Sequence, residues 1–106
     1  MAEIIKNHIG GKWVTAAAGK TFESINPADT REVLGIVPDS DAADVEKAVS
    51  AARAAFPSWR ATPAPKRGEI LYRAAELLVK RKEPLGELVC REMGKIRPES
   101  MGDVQE

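Results

Sequence analysis

The fold of this chain is decided by residues 33–56, VLGIVPDSDAADVEKAVSAARAAF. Val33 to Val37 form an apolar run that is too short for a helix and is stopped by Pro38, so the run predicts a strand. From Ser40 onward the period changes: apolar residues recur every three or four positions, which lines one face of a helix. Ser40 is the expected N-cap of that helix, and Pro57 is its expected end. The stripe consists of Val45, Ala48, Val49, Ala52 and Phe56.

The residues before this stretch are strand-like and interrupted by turns. The stretch from His8 to Val14 predicts a β-hairpin, with two short strands connected by Gly10-Gly11. Thr21 to Ile25 alternate bulky and polar residues and stop at Asn26-Pro27. We therefore expect three or four short strands and turns in residues 1–39.

The residues after this stretch are helical, so that residues 40–106 form a helical segment. A second helix opens at Thr62-Pro63, and Pro84 restarts or kinks it. Gly94 is the expected left-handed residue that closes the next helix. A last helix opens near Pro98 and reaches Glu106 without a stop signal, which indicates a piece of a longer chain.

The composition excludes several classes of protein. Sixteen basic and sixteen acidic residues cancel, so the chain lacks the basic patch that a nucleic-acid binder needs. It has no polybasic segment for a membrane surface and no apolar run long enough to span a bilayer. Cys90 is the single cysteine and fits a reducing compartment. We expect a soluble, cytoplasmic protein with neither nucleic acid nor membrane as a partner.

The candidate catalytic residues each have a simpler structural interpretation. Cys90 lies on an apolar helix face, where cysteine usually acts as a small hydrophobe, and the only histidine, His8, is near the other end of the chain. Lys95 follows Gly94, but the upstream glycine of a phosphate loop is replaced by Val89. The sequence has no dinucleotide-binding glycine fingerprint. We therefore assign no catalytic and no cofactor-binding residue.

Taken in order, several segments resemble the amino-terminal region of the NAD(P)-dependent aldehyde dehydrogenase superfamily. Each segment by itself is weak evidence for the family, but the ordered set with these spacings is specific for it. The set covers the chain from about residue 8 to the end. The segments are Ile9–Val14, Phe22–Ala28, Glu32–Pro38, Asp44–Trp59, Arg67–Leu71 and Glu92–Lys95.

The resemblance implies an α/β fold, the amino-terminal part of a coenzyme-binding domain, with short strands followed by amphipathic helices that cover the dinucleotide fold. It implies a parent that oxidises an aldehyde to a carboxylic acid. In this family a cysteine thiolate attacks the carbonyl, hydride passes to the nicotinamide, and water activated by a glutamate releases the acid. Those residues lie downstream of the matched region, and Cys90 does not match the nucleophile's motif, so this chain alone is not expected to be catalytically competent.

The resemblance also implies the parent's cofactors and partners. NAD or NADP serves the parent, and no cofactor is expected for the fragment alone. The partners are the remainder of the parent chain, the aldehyde substrate and other copies of the enzyme, since family members are usually dimers or tetramers.

One binding site carries over by resemblance. Some relatives bind a monovalent cation with backbone oxygens that match Ser24 and Ile25 and with an acidic side chain that matches Asp103. Hard cations prefer such oxygen ligands. The competing interpretation is that Asp103 is a solvated helix residue.

Two functions from different classes remain open. The first is an amino-terminal fragment of an aldehyde dehydrogenase. The second is a stand-alone helical interaction or assembly module without enzymatic activity. The absence of a stop signal in the last helix favours the fragment, because an independent module should end its own helix.

Overall fold

Strands occupy the first part of the chain and helices the second in the computed structural model, which describes residues 2–106. Met1, the first residue of the predicted strand segment 1–39, lies outside the described residues. The strands are β1 (Glu3–Ile4), β2 (Asn7–Ile9), β3 (Lys12–Val14), β4 (Thr21–Ile25) and β5 (Val33–Pro38). The helices are α1 (Ala42–Ala61), α2 (Ala64–Lys80), α3 (Lys82–Met93) and α4 (Arg97–Gln105).

The chain divides into two units that interleave along the sequence. The first contains residues 2–24 and 33–61, and the second contains residues 25–32 and 62–106. Within this division, the change from strands to helices falls between Pro38 and Ala42, close to the predicted boundary at residue 40. The assignment of both segments to one coenzyme-binding domain stays a prediction.

The first unit contains two small sheets. One sheet has the strand order β1-β5-β4, with β1 parallel to β5 in the register Glu3 to Gly35 and Ile4 to Ile36. The predicted strands at Thr21–Ile25 and from Val33 onward are confirmed as β4 and β5. Strand β1 was not predicted, because two residues are too few to show a period.

The second sheet is the predicted hairpin of β2 and β3, which pair antiparallel. Gly10 and Gly11 connect them with φ angles of 60° and 79°. Two consecutive positive φ angles define the type I′ turn, whose twist matches that of the flanking strands. Across the hairpin, His8 faces Trp13 with ring centroids 4.8 Å apart. The imidazole of His8 therefore has a packing partner on the neighbouring strand.

Helix α1 differs from the sequence expectation at both ends. It begins after Asp41, whose carboxylate accepts hydrogen bonds from the amides of Ala43 and Asp44, at 2.9 and 3.3 Å. Asp41, not Ser40, is therefore the N-cap, since the hydroxyl of Ser40 accepts a hydrogen bond from the Asn7 side chain at 2.7 Å. Pro57 lies inside α1, which continues to Ala61. A proline removes one amide donor, and the residues after it can resume helical bonding.

The second unit contains the other three helices. Helix α2 begins one residue later than predicted: Pro63 is its N-cap, without a side-chain hydrogen bond, and the proline of its first turn is Pro65. The helix is interrupted at Arg81, and Pro84 therefore lies in the first turn of α3. Gly94 ends α3 with a φ of 68°, which confirms the predicted left-handed cap.

Helices α3 and α4 pack closely against each other. Gly86 of α3 is buried, and a Cβ atom built on it would meet Cε of Met101 at 2.8 Å and would lie still nearer to its Sδ. Ser100 of α4 is fully buried, and its hydroxyl donates to the carbonyl of Ile96 at 3.1 Å. Arg97 adds an ion pair to Glu83 at 2.6 Å. A small residue in each helix thus permits the close approach.

The described residues bury very little apolar surface among themselves. Ala16 is the only buried hydrophobic residue in the range 2–106. The exposed large hydrophobic residues occur in helices α1, α2 and α3 and in strands β1, β3 and β4, and Ile96 directly precedes α4. Buried apolar area is the dominant stabilising contribution in folding. The helix stripes predicted from the sequence therefore exist, but much of their apolar surface has no partner within these residues.

Candidate functional site

A cluster of hydrogen-bonded polar side chains surrounds the turn of residues 26–32, which we call the Asn26 turn. Asn26 is buried, and its side-chain oxygen accepts a hydrogen bond from the amide of Ala28 at 2.9 Å. Its backbone amide donates to the carbonyl of Glu32 at 3.0 Å, and its side-chain nitrogen donates to the Glu32 carboxylate at 2.7 Å. An asparagine that bonds to the backbone two residues ahead is a common turn device. The side chain of Asn26 thereby fixes both ends of the turn.

Arg91 of α3 holds the other oxygen of the Glu32 carboxylate. Its Nε and Nη2 atoms lie 2.8 and 2.6 Å from Oε1 of Glu32, whereas Oε2 accepts from Asn26. Hydrogen bonds from Arg91, and then from Asn26, lower the pKa of Glu32 below its usual range. The same pair raises the pKa of Arg91. Charge-assisted bonds of this kind are stronger than neutral ones, so the pair fixes the Asn26 turn on α3.

Gly94 completes the contact between the Asn26 turn and the end of α3. A Cβ atom at Gly94 would lie 2.9 Å from Cγ of Pro27 and 3.3 Å from the amide nitrogen of Ala28. The left-handed backbone and this close approach both require glycine. The Asn-Pro pair and the Gly-Lys pair, which the sequence marked separately as resemblance segments, thus meet in the structure.

Lys95 follows the Gly94 cap and connects the end of α3 to α4 through its side chain. Its ammonium group donates to the Asp103 carboxylate of α4 at 2.6 Å, and this hydrogen bond raises the pKa of Lys95. Lys95 therefore belongs to an ion pair that joins the end of α3 to α4. Its backbone carbonyl accepts a hydrogen bond from Sγ of Cys90 at 3.0 Å. The Cys90 thiol is half-buried and donates this hydrogen bond to the backbone.

The three residues predicted for a monovalent cation lie on two elements. Ser24 and Ile25 end β4, and Asp103 is an exposed residue of α4. The backbone and carboxylate oxygens are chemically suited to a hard cation. The Asp103 carboxylate is already neutralised by Lys95, so a cation there would have to share or displace the ammonium group. The cation site stays a prediction.

Within the range 2–106, no group of three or more histidine, cysteine, aspartate or glutamate side chains is arranged to hold a metal ion. His8 and Cys90 belong to different units of the chain. Sequence reasoning missed Glu32 and Arg91, the pair that organises the cluster. They are 59 positions apart, so no local pattern could link them.

Comparison with known proteins assigns this fold. The pattern of the Aldehyde dehydrogenase family matches residues 13–106. The chain belongs to the aldehyde dehydrogenase family. The resemblance drawn from the ordered segments is therefore confirmed.

Individual members of the family are similar to this chain over almost its whole length. The α-ketoglutarate semialdehyde dehydrogenase of Haloferax volcanii is 46% identical over 105 residues, which are 99% of this chain and 22% of that protein. Malonate-semialdehyde dehydrogenase 2 of Geobacillus kaustophilus is 47% identical over 103 residues, or 97% of this chain and 21% of that protein. The crystal structure of an NAD-dependent aldehyde dehydrogenase from Sinorhizobium meliloti matches with a TM-score of 0.91 and 32% identity, over 99% of this chain and 21% of that one.

The match concerns the amino-terminal region of these dehydrogenases, and the α/β fold class predicted from the sequence is confirmed. The chain spans about a fifth of the length of the curated relatives it matches. The alternative of a stand-alone interaction module gains no support from the comparisons. No helix within residues 2–106 is both long and apolar enough to cross a membrane.

Proposed function

We propose that this chain is the amino-terminal part of an NAD(P)-dependent aldehyde dehydrogenase and that it acts there as scaffold for the coenzyme-binding domain. The observation that carries the proposal is the match of 99% of the chain to a solved dehydrogenase at a TM-score of 0.91. The whole reaction takes up water and converts the aldehyde to a carboxylic acid with the loss of two electrons. When bound, the nicotinamide accepts those electrons as a hydride.

The residues of this chain support that reaction only indirectly. The hydrogen bond from Asn26 and the ion pair with Arg91 of α3 hold Glu32 within the second unit of the chain. Cys90, the only cysteine of the sequence, donates a hydrogen bond to a backbone carbonyl, and the single histidine, His8, belongs to the other unit. A nucleophilic thiol needs a neighbouring base or a lowered pKa. The chemistry therefore belongs to the remainder of the parent chain.

The proposal has three further parts, which are a cytoplasmic location, assembly into dimers or tetramers, and a semialdehyde substrate. A single cysteine fits a reducing cytoplasm, and members of the resembling family usually assemble as dimers or tetramers. Both curated relatives described above are named for semialdehydes, so semialdehydes are the first substrate class to assay.

A chimeric enzyme tests the scaffold role directly. In the chimera, this chain replaces the aligned amino-terminal segment of the Geobacillus kaustophilus malonate-semialdehyde dehydrogenase 2, which is 47% identical to it. We expect the chimera to reduce NAD or NADP in the presence of malonate semialdehyde. The same dehydrogenase without any amino-terminal segment is the control and should be inactive, as should the 106-residue chain alone.

Two results would contradict the proposal. An inactive chimera, prepared beside an active parent enzyme, would show that the segment cannot serve as the dehydrogenase scaffold. Aldehyde oxidation by the 106-residue chain alone would show that it carries its own catalytic residues.

A further inference from the structure

The ion pair between Lys95 and Asp103 is less open to solvent than an ordinary surface pair. The ammonium nitrogen of Lys95 lies 2.6 Å from Oδ2 of Asp103, and the Lys95 side chain is 25% exposed. By contrast, the side chain of Lys66, which pairs with Glu69 at 3.4 Å, is 67% exposed. Exposed pairs contribute little, and partly buried pairs are screened much less by salt. The Lys95 ammonium is therefore held at Asp103 more firmly than Lys66 is held at Glu69.

The backbone on both sides of this ion pair is fixed by contacts that do not depend on it. Lys95 directly follows the left-handed end of α3, and its carbonyl accepts a hydrogen bond from the Cys90 thiol at 3.0 Å. Asp103 lies in α4, where Ser100, one turn earlier, is fully buried. Only the two side chains have to be ordered when the pair forms, which keeps its entropic cost low.

The surroundings of Asp103 require a positive charge. Glu99 precedes Asp103 by four residues on α4, and like charges at this spacing on a helix destabilise it. The negative charge of Glu99 also attracts the Lys95 ammonium. One cation at this position therefore compensates two carboxylates, and Lys95 supplies it from within the chain.

The oxygen atoms predicted for a monovalent cation do not fit a free ion once Lys95 is in place. Ser24 and Ile25 would offer neutral backbone oxygens, so Asp103 is the only charged ligand of the three. A lysine ammonium is a compact point charge with three donors, as suited to a carboxylate as a small monovalent cation is. With this ammonium at hydrogen-bond distance, the carboxylate charge is neutralised, and a second cation beside it would be repelled.

We infer that Lys95 provides the positive charge at Asp103 from within the chain, so that no free monovalent cation binds to this carboxylate. The inference is the alternative to the cation site predicted from the family resemblance at Ser24, Ile25 and Asp103. It concerns a contact within the second unit and does not rest on the proposed function.

Thermal unfolding in different salts tests the inference. The midpoint of the chimera is measured in sodium or potassium chloride and in tetramethylammonium chloride at equal ionic strength, because the bulky organic cation cannot approach a carboxylate closely. The same series on Asp103→Asn isolates any response that arises at Asp103 from responses elsewhere in the enzyme. We expect the two proteins to show the same difference between the salts, since an ion that binds the folded state would raise the midpoint.

Removal of the ammonium group should create a cation dependence. In Lys95→Met the carboxylate of Asp103 is free, and we expect the small cations to raise the midpoint by about 2 °C or more relative to tetramethylammonium. Adding Asp103→Asn to this variant should abolish the gain, and Lys95→Arg, which keeps the charge, should not produce it. Lys66→Met is the matched control, because it removes the ammonium group from the exposed pair with Glu69.

Two results would overturn the inference. If the small cations stabilise the unsubstituted chimera and this response is lost in Asp103→Asn, the predicted cation site exists. If Lys95→Met shows no gain, the ammonium does not take the place of a cation. The helical circular dichroism of the 106-residue chain in the same salts provides the same comparison without the rest of the enzyme. An inactive chimera would thus contradict the proposed function alone, and the free chain would then decide on the inference.

Discussion

The backbone amide of Ala17 lies 2.9 Å from Oδ1 of Asp44, a residue 27 positions further along the chain. Oδ2 of the same carboxylate accepts from the amide of Asp41 at 3.1 Å. Asp41 in turn caps α1, so Asp41 and Asp44 form a reciprocal capping box, and Asp44 also anchors the connector after the β2-β3 hairpin. Asp44 is only 4% exposed. One carboxylate thus satisfies amides on two segments of the first unit.

The bonds made by Asp44 predict an acid dependence. The amides of Asp41 and Ala17 lower the pKa of Asp44. A lowered pKa contributes stability that is present above the ordinary carboxyl value of about 4 and is lost as the pH falls through the folded-state value. We expect the helical signal of the chain to fall as the pH is lowered through that window. The helical signal of Asp44→Asn should be weaker at pH 7, because the side-chain amide can replace only one of the two carboxylate acceptors. It should also change less as the pH falls, because the titrating carboxyl group has been removed. An identical acid profile for the variant would assign the loss to other carboxylates.

The ion pair between Glu32 and Arg91 predicts a second effect on stability. Arg91→Ala leaves Oε1 of Glu32 without its two donors, and Glu32→Gln removes the charge that both bonds depend on. Both variants should lower the thermal unfolding midpoint of the chimera, and the double variant should lose less than the sum of the two. Arg73→Ala, at an exposed position of α2, is the control and should have little effect. Additive losses would show that the two side chains act independently.

Packing between α3 and α4 predicts a third effect, which depends on two residues together. Alanine normally stabilises a helix interior relative to glycine by roughly 0.5–1 kcal/mol. At Gly86 the new methyl group would collide with the end of Met101, and overpacking costs about 1–3 kcal/mol. Gly86→Ala should therefore lower the unfolding midpoint of the chimera, whereas Gly102→Ala, where the space is open, should raise it slightly. In the Gly86→Ala background, Met101→Ala should cost less than it does alone. Equal costs in both backgrounds would contradict the collision.

Features set by neighbouring residues could be predicted from the sequence. The Gly10-Gly11 turn needs two positive φ angles, and Gly94 needs one, so the residue type itself specifies the conformation. Strand β5 could also be predicted, because a short apolar run bounded by proline has few other structures. The ordered resemblance segments then identified the family, although the residues by themselves indicated no chemistry.

Features set by distant residues could not be predicted. Strand β1 exists because Glu3 and Ile4 pair with β5, and not because of any local preference. Ser40 and Asp41 are both good caps by residue type; in the structure Asp41 accepts from the first helical amides, and Ser40 accepts from the distant side chain of Asn7. The cluster of Asn26, Glu32 and Arg91 could not be predicted either, because Arg91 is 59 positions away from Glu32 in the sequence. The cation site at Ser24, Ile25 and Asp103 stays a prediction that depends on the family resemblance.

Gly94 provides the sharpest test of the contact between the Asn26 turn and α3. Gly94→Ala places an L-residue at a φ of 68°, which costs about 1–2 kcal/mol, and adds a methyl group 2.9 Å from Cγ of Pro27. Gly68 of α2 is the matched control: apart from its neighbours and its own helical backbone, no atom of the described residues lies within 4 Å of a built Cβ, so alanine there should stabilise the helix by roughly 0.5–1 kcal/mol. We expect opposite shifts of the thermal unfolding midpoint of the chimera. The loss at Gly94 should be smaller when Pro27 is also replaced by alanine, because the collision is relieved while the backbone strain remains. A midpoint raised by both glycine substitutions would show that the end of α3 does not hold the left-handed cap against the turn.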